Sequence, residues 1–255
     1  MADEVLVEYG DDGIAVITIN RPESRNAVTR AVAEAIASAL DELDERDDLA
    51  VGIITGAGGT FCAGMDLKAF LRGERPHVQG RGFAGLTETP PVKPLIAAVE
   101  GYAVAGGCEI ALASDLVVAA EDAKFGLPEV KRGLVAVAGG LLRLPGRIPY
   151  QIAMELALTG DVLTADRAHH YGLVNRLTPP GGALKEARLL ASAIAANGPL
   201  AVRVTKRVLV ESPGWPRDEL FDRQKPITEL VFNSDDAREG ASAFTEKRAP
   251  VWRGR

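Results

Sequence analysis

The sequence predicts a mixed α/β fold with a mostly parallel sheet, on three observations. Short β-branched runs alternate with segments of helical spacing; several of the runs stop at glycines or at an Asn-Arg-Pro turn; and from about Ala183 onward helical spacing stands alone. The first run, GIAVITINRP, alternates β-branched residues and ends at that turn, which makes it a strand. NAVTRAVAEAIASALDELDERDD then sets Val32, Ile36, Leu40 and Leu43 on one helix face, with acids on the other side. LAVGIITGAGG is a short buried strand closed by glycines, KPLIAAVEGYAVAGG holds another and DLVVAAEDAKFG a third. Residues 72–94, rich in glycine and proline and without periodicity, predict a long loop of the functional or mobile kind. Past Ala183, LKEARLLASAIAANGP, LAVRVTKRVLVES and DELFDRQKPITELVF read as helices, so the C-terminal quarter is expected to be a helical module.

Composition bounds the rest. With 255 residues, 47% hydrophobic and 25% charged, the chain can build one large domain, or a core with a smaller appendage. A net charge of −6 counts against a nucleic-acid backbone as partner, and the basic tail EKRAPVWRGR is short enough to be solvated surface. Cys62 and Cys108 make no disulfide framework, and the acidic N-terminus lacks a signal-peptide pattern. No run approaches the roughly 18 apolar residues of a membrane span. The expectation is a cytoplasmic, reducing setting with free thiols and no membrane partner.

Several chemistries lack their residues. His77, His169 and His170 have no Cys or acidic ligand at useful spacing, so no metal site is expected. Neither a G-x-S-x-G elbow nor a P-loop occurs. GAGGTF, Gly56 to Phe61, follows a strand but carries phenylalanine where the third glycine of a dinucleotide fingerprint belongs. It is either a strand-to-helix turn or a loop whose bare backbone approaches a ligand.

Glu109, in YAVAGGCEIALASD, stands among residues that leave water. Gly106-Gly107 opens a helix there, and the unpaired N–H groups of a first turn suit negative charge. Two readings follow: Glu109 complements its helix terminus, or it is a buried acid of the kind proton transfer uses. Glu129, after a proline in KFGLPEVKRGL, reads from its own neighbours as a surface residue.

Longer motifs add to this. NRPESRNAV, ITGAGGTFCAGMDLKAF, KPLIAAVEGYAVAGGCEIALASDLVVAAEDAKFGLPEVKRGL, LTGDVLTADRAHHYGLVNRL and GASAFTEKRAPVWRGR occur in that order over nearly the whole chain. In them the chain resembles the crotonase, or enoyl-CoA hydratase/isomerase, superfamily. The resemblance implies a spiral of ββα repeats over residues 1–190 and a helical oligomerisation module over 191–255, building a homotrimer or a hexamer of two trimers. It implies an acyl-CoA thioester as substrate, with coenzyme A entering as part of that substrate and no separate cofactor. The backbone N–H groups of Met65 and Gly106 match the family's oxyanion hole, and Glu109 and Glu129 match the two hydratase glutamates. Arg25, Ala27, Ala63, Asp66, Leu67, Lys68, Val137, Phe244 and Lys247 match positions that contact substrate or coenzyme A.

Two departures stand out. GLVAVAGG has Ala136 where hydratases carry proline, followed by Val137, whose amide is still expected to hold the water. Ala105 stands where many relatives have glycine, a change expected to matter little. The implied activity is hydration of 2-enoyl-CoA. The alternatives are enoyl-CoA isomerisation, dehydration of a hydroxyacyl-CoA, and a non-catalytic acyl-CoA- or RNA-binding role.

Overall fold

A computed structural model of the protein describes residues 3–255. Strands β1 (Val5–Tyr9) and β2 (Ile14–Ile19) form a hairpin, and helix α1 (Arg30–Glu45) leads to β3 (Val51–Gly56). Helix α2 (Leu67–Leu71) and the small hairpin of β4 (His77–Val78) and β5 (Gly82–Phe83) precede β6 (Leu95–Val99). Next come β7 (Tyr102–Val104), α3 (Gly106–Ala113), β8 (Leu116–Ala120) and β9 (Lys124–Gly126), followed by a 3₁₀ turn, Pro128–Arg132. Helices α4 (Gly140–Arg143) and α5 (Tyr150–Thr159), strand β10 (Val162–Thr164), α6 (Ala165–His170) and β11 (Arg176–Thr178) complete the core. Helices α7 (Ala183–Ala195), α8 (Pro199–Glu211), α9 (Leu220–Phe232) and α10 (Asp235–Glu246) close the chain.

The main sheet has the order β1-β2-β3-β6-β8-β11, parallel except for β1, and a second sheet has the order β10-β9-β7. Both faces of the main sheet are covered, which is why β2, β3 and β6 read as continuous apolar runs. Ala15, Ile17 and Ile19 pack with Val32, Ile36, Leu40 and Leu43 of α1 on one face. Ile14, Val16, Val51, Ile53, Ile96 and Val118 pack on the other against Ala183, Ala187 and Ala191 of α7. Those three alanines repeat every fourth residue, so one flat helix face lies on the strands. The boundary expected at 190/191 therefore falls inside a helix that belongs to the sheet core, and the helices beyond the sheet begin at Pro199.

Residues 72–94 are more ordered than their composition suggests. They hold the β4–β5 hairpin and bury Phe83, Ala84, Leu86 and Thr87. No helix among the described residues is long and apolar enough to cross a membrane.

One polar latch joins α8 to the sheet. The Lys206 ammonium donates to the carbonyls of Pro91 (2.8 Å) and Lys93 (2.9 Å) and to Asp115 Oδ2 (2.6 Å), while Asp115 Oδ2 also accepts from the Leu95 N–H at 2.8 Å. Lys93 is itself buried and donates to Leu43 O (2.8 Å) and Arg46 O (2.5 Å), satisfying carbonyls at the end of α1. Removing one partner from so enclosed a pair leaves the other uncompensated. Lys206→Met should destabilise the chain by about 2 kcal/mol, with Asp115→Asn adding less than its own single effect in the double variant. Urea unfolding of the four proteins measures both terms.

Candidate active site

Residues 61–66 hold the site together. Along one edge the Phe61 and Cys62 N–H groups donate to Glu100 O (2.8 Å) and Tyr102 O (2.9 Å), and the Val104 N–H donates to Cys62 O (3.1 Å). Along the other edge the Ala63 N–H donates to Arg25 O (3.0 Å), the Val28 N–H to Gly64 O (2.8 Å) and the Asp66 N–H to Val28 O (3.0 Å). Met65 is in parallel register with Val28, and the bonds made by its neighbours turn its own N–H to the opposite side. Gly106 opens α3 on that side, and a Cβ built on Gly64 would lie 2.9 Å from its amide nitrogen. Neither the Met65 nor the Gly106 N–H has a backbone partner among the described residues. Two free N–H groups therefore meet at the N-terminus of a helix, where negative charge is favoured.

Ala105 aims the second of them. It turns β7 into α3 with φ +52° and ψ −130°, a glycine conformation that costs an alanine about 1–3 kcal/mol. The replacement expected to matter little is thus a strained one. Its N–H is tied to Gly126 O at 2.9 Å, which holds the turn. The Phe83 ring covers Gly106 closely enough that any Cβ there would collide with it.

Of the two readings of Glu109, the buried acid is the one observed. Glu109 is 3% exposed, and its Oε1 accepts from the N–H groups of Ala138 (2.7 Å) and Gly140 (2.9 Å). Burial raises its pKa, while those amides and the charges of Arg143 and His77 pull it back. Glu129 opens the 3₁₀ turn after Pro128, and it is not the surface residue its neighbours suggest. It is half-buried, its Oε2 is enclosed without a hydrogen-bond partner, and its pKa is pushed up to about 7, chiefly by burial and further by the charge of Glu109. Two carboxyls thus share one enclosure with unequal support: both are pushed up by burial, but Glu109 accepts from two amides while Glu129 Oε2 has no donor among the described residues.

The remaining positions divide into groups. Arg25, Ala27, Ala63, Met65 and Asp66 lie together along the 25–28 and 61–66 segments, with Leu67 and Lys68 following on α2. The Asp66 carboxylate is already engaged: it caps α2 through the N–H groups of Lys68 (3.0 Å) and Ala69 (3.1 Å) and pairs with Arg21 at 3.1 Å. Val137 is 74% exposed, and it is the amides of Ala138 and Gly140 that meet Glu109. Phe244 and Lys247 lie at the end of α10, whose main packing is on α9, outside this cluster. Cys62 and Cys108 are buried and free; the Cys62 sulfur accepts from the Gly64 N–H at 3.3 Å, and burial pushes its thiol up to about 12. Phe83 and Arg143 were not singled out by sequence reasoning, because nothing in their own neighbourhoods marks them, and His77 was considered there only as a metal ligand.

The raised Glu129 has a measurable sign. Its folded-state pKa of about 7 lies above the ordinary 4.5, so the stability tied to it is complete below about 4.5 and lost as pH rises through about 7. Glu129→Gln removes that loss. Its stability relative to the parent should be unchanged near pH 4 and higher by about 1–2 kcal/mol near pH 8, after allowing for solvent screening of the exposed part. Urea unfolding at the two pH values checks this.

Residues 10–255 match the enoyl-CoA hydratase/isomerase family model. An enoyl-CoA hydratase of Mycobacterium tuberculosis, EchA19, is 43% identical, covering 98% of this chain and 99% of that protein. A carnitinyl-CoA dehydratase of Salmonella typhi is 42% identical over 95% of each. The crystal structure of enoyl-CoA hydratase EchA1 from Mycobacterium marinum superposes with a TM-score of 0.97 at 63% identity, covering 99% of this chain and all of that one. The chain belongs to the enoyl-CoA hydratase/isomerase, or crotonase, family.

Proposed function

We propose that the protein is an enoyl-CoA hydratase, adding water across the double bond of 2-enoyl-CoA thioesters. The observation that carries this reading is the pair of carboxyls beside two free amides: Glu109 held by donors, Glu129 enclosed and unpaired. The thioester oxygen accepts from the Met65 and Gly106 N–H groups. Water attacks C3 as Glu109 takes its proton, the π electrons move toward the thioester oxygen, and Glu129 delivers a proton to C2. Proton exchange then restores both groups. The two amides are preorganised for the enolate oxygen, a contribution of about 10²–10³ per donor. The same groups run the reverse step, so the relatives named as dehydratases support dehydration of a hydroxyacyl-CoA as the second reading.

The strip formed by residues 25–27 and 63–68 is assigned to coenzyme A; Lys247 lies outside that strip at the end of α10, and its point charge is assigned to the far, 3′-phosphate end of the same molecule. No further cofactor enters. Glu109→Gln and Glu129→Gln should each cut hydration of crotonyl-CoA by about 10²–10⁴ while CoA-thioester binding persists. Loss of the conjugated-thioester absorbance measures the rate, and a variant retaining more than about a tenth of parental turnover removes that residue from the chemistry.

Assembly belongs to the same proposal. Leu209, Val210, Phe221, Leu230, Phe232 and Phe244 are exposed on α8, α9 and α10, more apolar surface than a soluble monomer usually leaves open. A homotrimer or a pair of stacked trimers covers it. Light scattering should give a mass of three or six chains, and an active monomer would refute the assembly.

A further inference from the structure

We propose that Arg143 reads the distal end of the acyl group, favouring tails that carry a negative charge or hydrogen-bond acceptors over tails that carry a cation. The proposal rests on the reading of this site as one for acyl-CoA. Arg143 ends α4, three residues past Gly140, whose N–H helps hold Glu109. Its side chain folds back over that loop: a Cβ on Gly139 would collide with its Nη1. Its Nη2 donates to Thr87 O at 2.6 Å. Thr87 lies four residues after Phe83, the ring that covers Gly106. The guanidinium therefore sits where two loops meet, 82–89 beside one oxyanion amide and 136–140 beneath Glu109.

That guanidinium is unusually free for its degree of enclosure. It is half-buried, forms no salt bridge among the described residues, and commits one of its five N–H donors to the chain. Thr87, 2% exposed beside it, has a side-chain oxygen with no hydrogen-bond partner. The loop that Arg143 covers borders the site: a Cβ built on Gly140, next to Gly139, would lie 3.0 Å from Glu109 Oε1. The nearby rim is apolar, with Leu134, Val135, Val137, Leu141 and Leu142 exposed. A half-buried cation with no direct ion pair is unfavourable unless something compensates it. The one carboxylate whose charge reaches it, Glu109, has its Oε1 committed to two amides, and the Arg147 charge works against it. A carboxylate at the end of an acyl chain matches the planar fork of donors. A trimethylammonium in the same place meets like charge.

The test uses three 2-enoyl-CoA substrates of matched length, ending in an alkyl group, a carboxylate or a trimethylammonium group. The parent enzyme should prefer the carboxylate over the ammonium by at least about tenfold in kcat/KM, and Arg143→Gln should bring that ratio to within about threefold of unity. Arg143→Lys keeps the charge and should keep the direction of preference. Binding of the three saturated acyl-CoA analogues measures the same ratio without turnover, so failure of the hydratase reading leaves the test intact. Equal or better use of the cationic tail by the parent overturns the proposal. So does Arg143→Gln lowering all three substrates alike with the ratio unchanged, since that result makes the side chain a brace between loops. Should Arg143→Gln not fold, the parental ratio and Arg143→Lys decide the matter.

Discussion

Residues 61–66 are hydrogen-bonded along both edges, to 100–104 on one side and to 25–28 on the other. A segment paired on both sides cannot shift register without breaking both sets of bonds at once. That constraint brings the Met65 N–H to the start of α3. It also gathers the 25–28 and 63–68 segments into one strip, and it seats Cys62 beneath the α3 glycines. Most of the site is made of backbone, and the bonds along both edges of 61–66 hold that backbone in place while leaving the Met65 and Gly106 N–H groups free. The strained turn at Ala105 persists for the same reason: its neighbours on β9 and in 61–66 leave it no alternative.

Electrostatic asymmetry is the second organising feature. Two glutamates of the same chemistry occupy one enclosure, yet the donors around them are unequal. Burial raises both, but Glu109 has two amides and the charge of Arg143, whereas Glu129 has the field of a neighbouring carboxylate. Environment makes two residues of one type unequal here. The difference depends on the loop 136–140, so the Ala136 and Val137 departures fall on the part of the chain that holds Glu109.

The sheet and α1 were legible because their signals are local. β2, β3 and β6 are uninterrupted apolar runs, and Val32, Ile36, Leu40 and Leu43 repeat at helical spacing. Glu109 was conspicuous for a similar reason, being one charge in an apolar segment. Glu129 was not, because its burial comes from the packing of a 3₁₀ turn against α5 and not from the charged residues beside it. Family motifs singled it out where spacing could not. The role of α7 was hidden as well: its core face is three alanines, too weak a pattern to separate a sheet-covering helix from the module that follows. Arg143 left no trace in the sequence, since its meaning lies in Gly139 and Thr87, and Thr87 is 56 residues away.

Cys62 has a use that its burial creates. Its thiol is fully enclosed, accepts an N–H from Gly64, and is pushed up to about 12, so in the closed protein it is inert to alkylating reagents. Once Cys108, the other buried free thiol, is replaced, any labelling must pass through a local opening that exposes Cys62. The labelling rate becomes a native reporter of that opening, sited one residue from Ala63 and three from Met65. Such a reporter yields the free energy of local opening at this segment, independently of the energy of unfolding the whole chain.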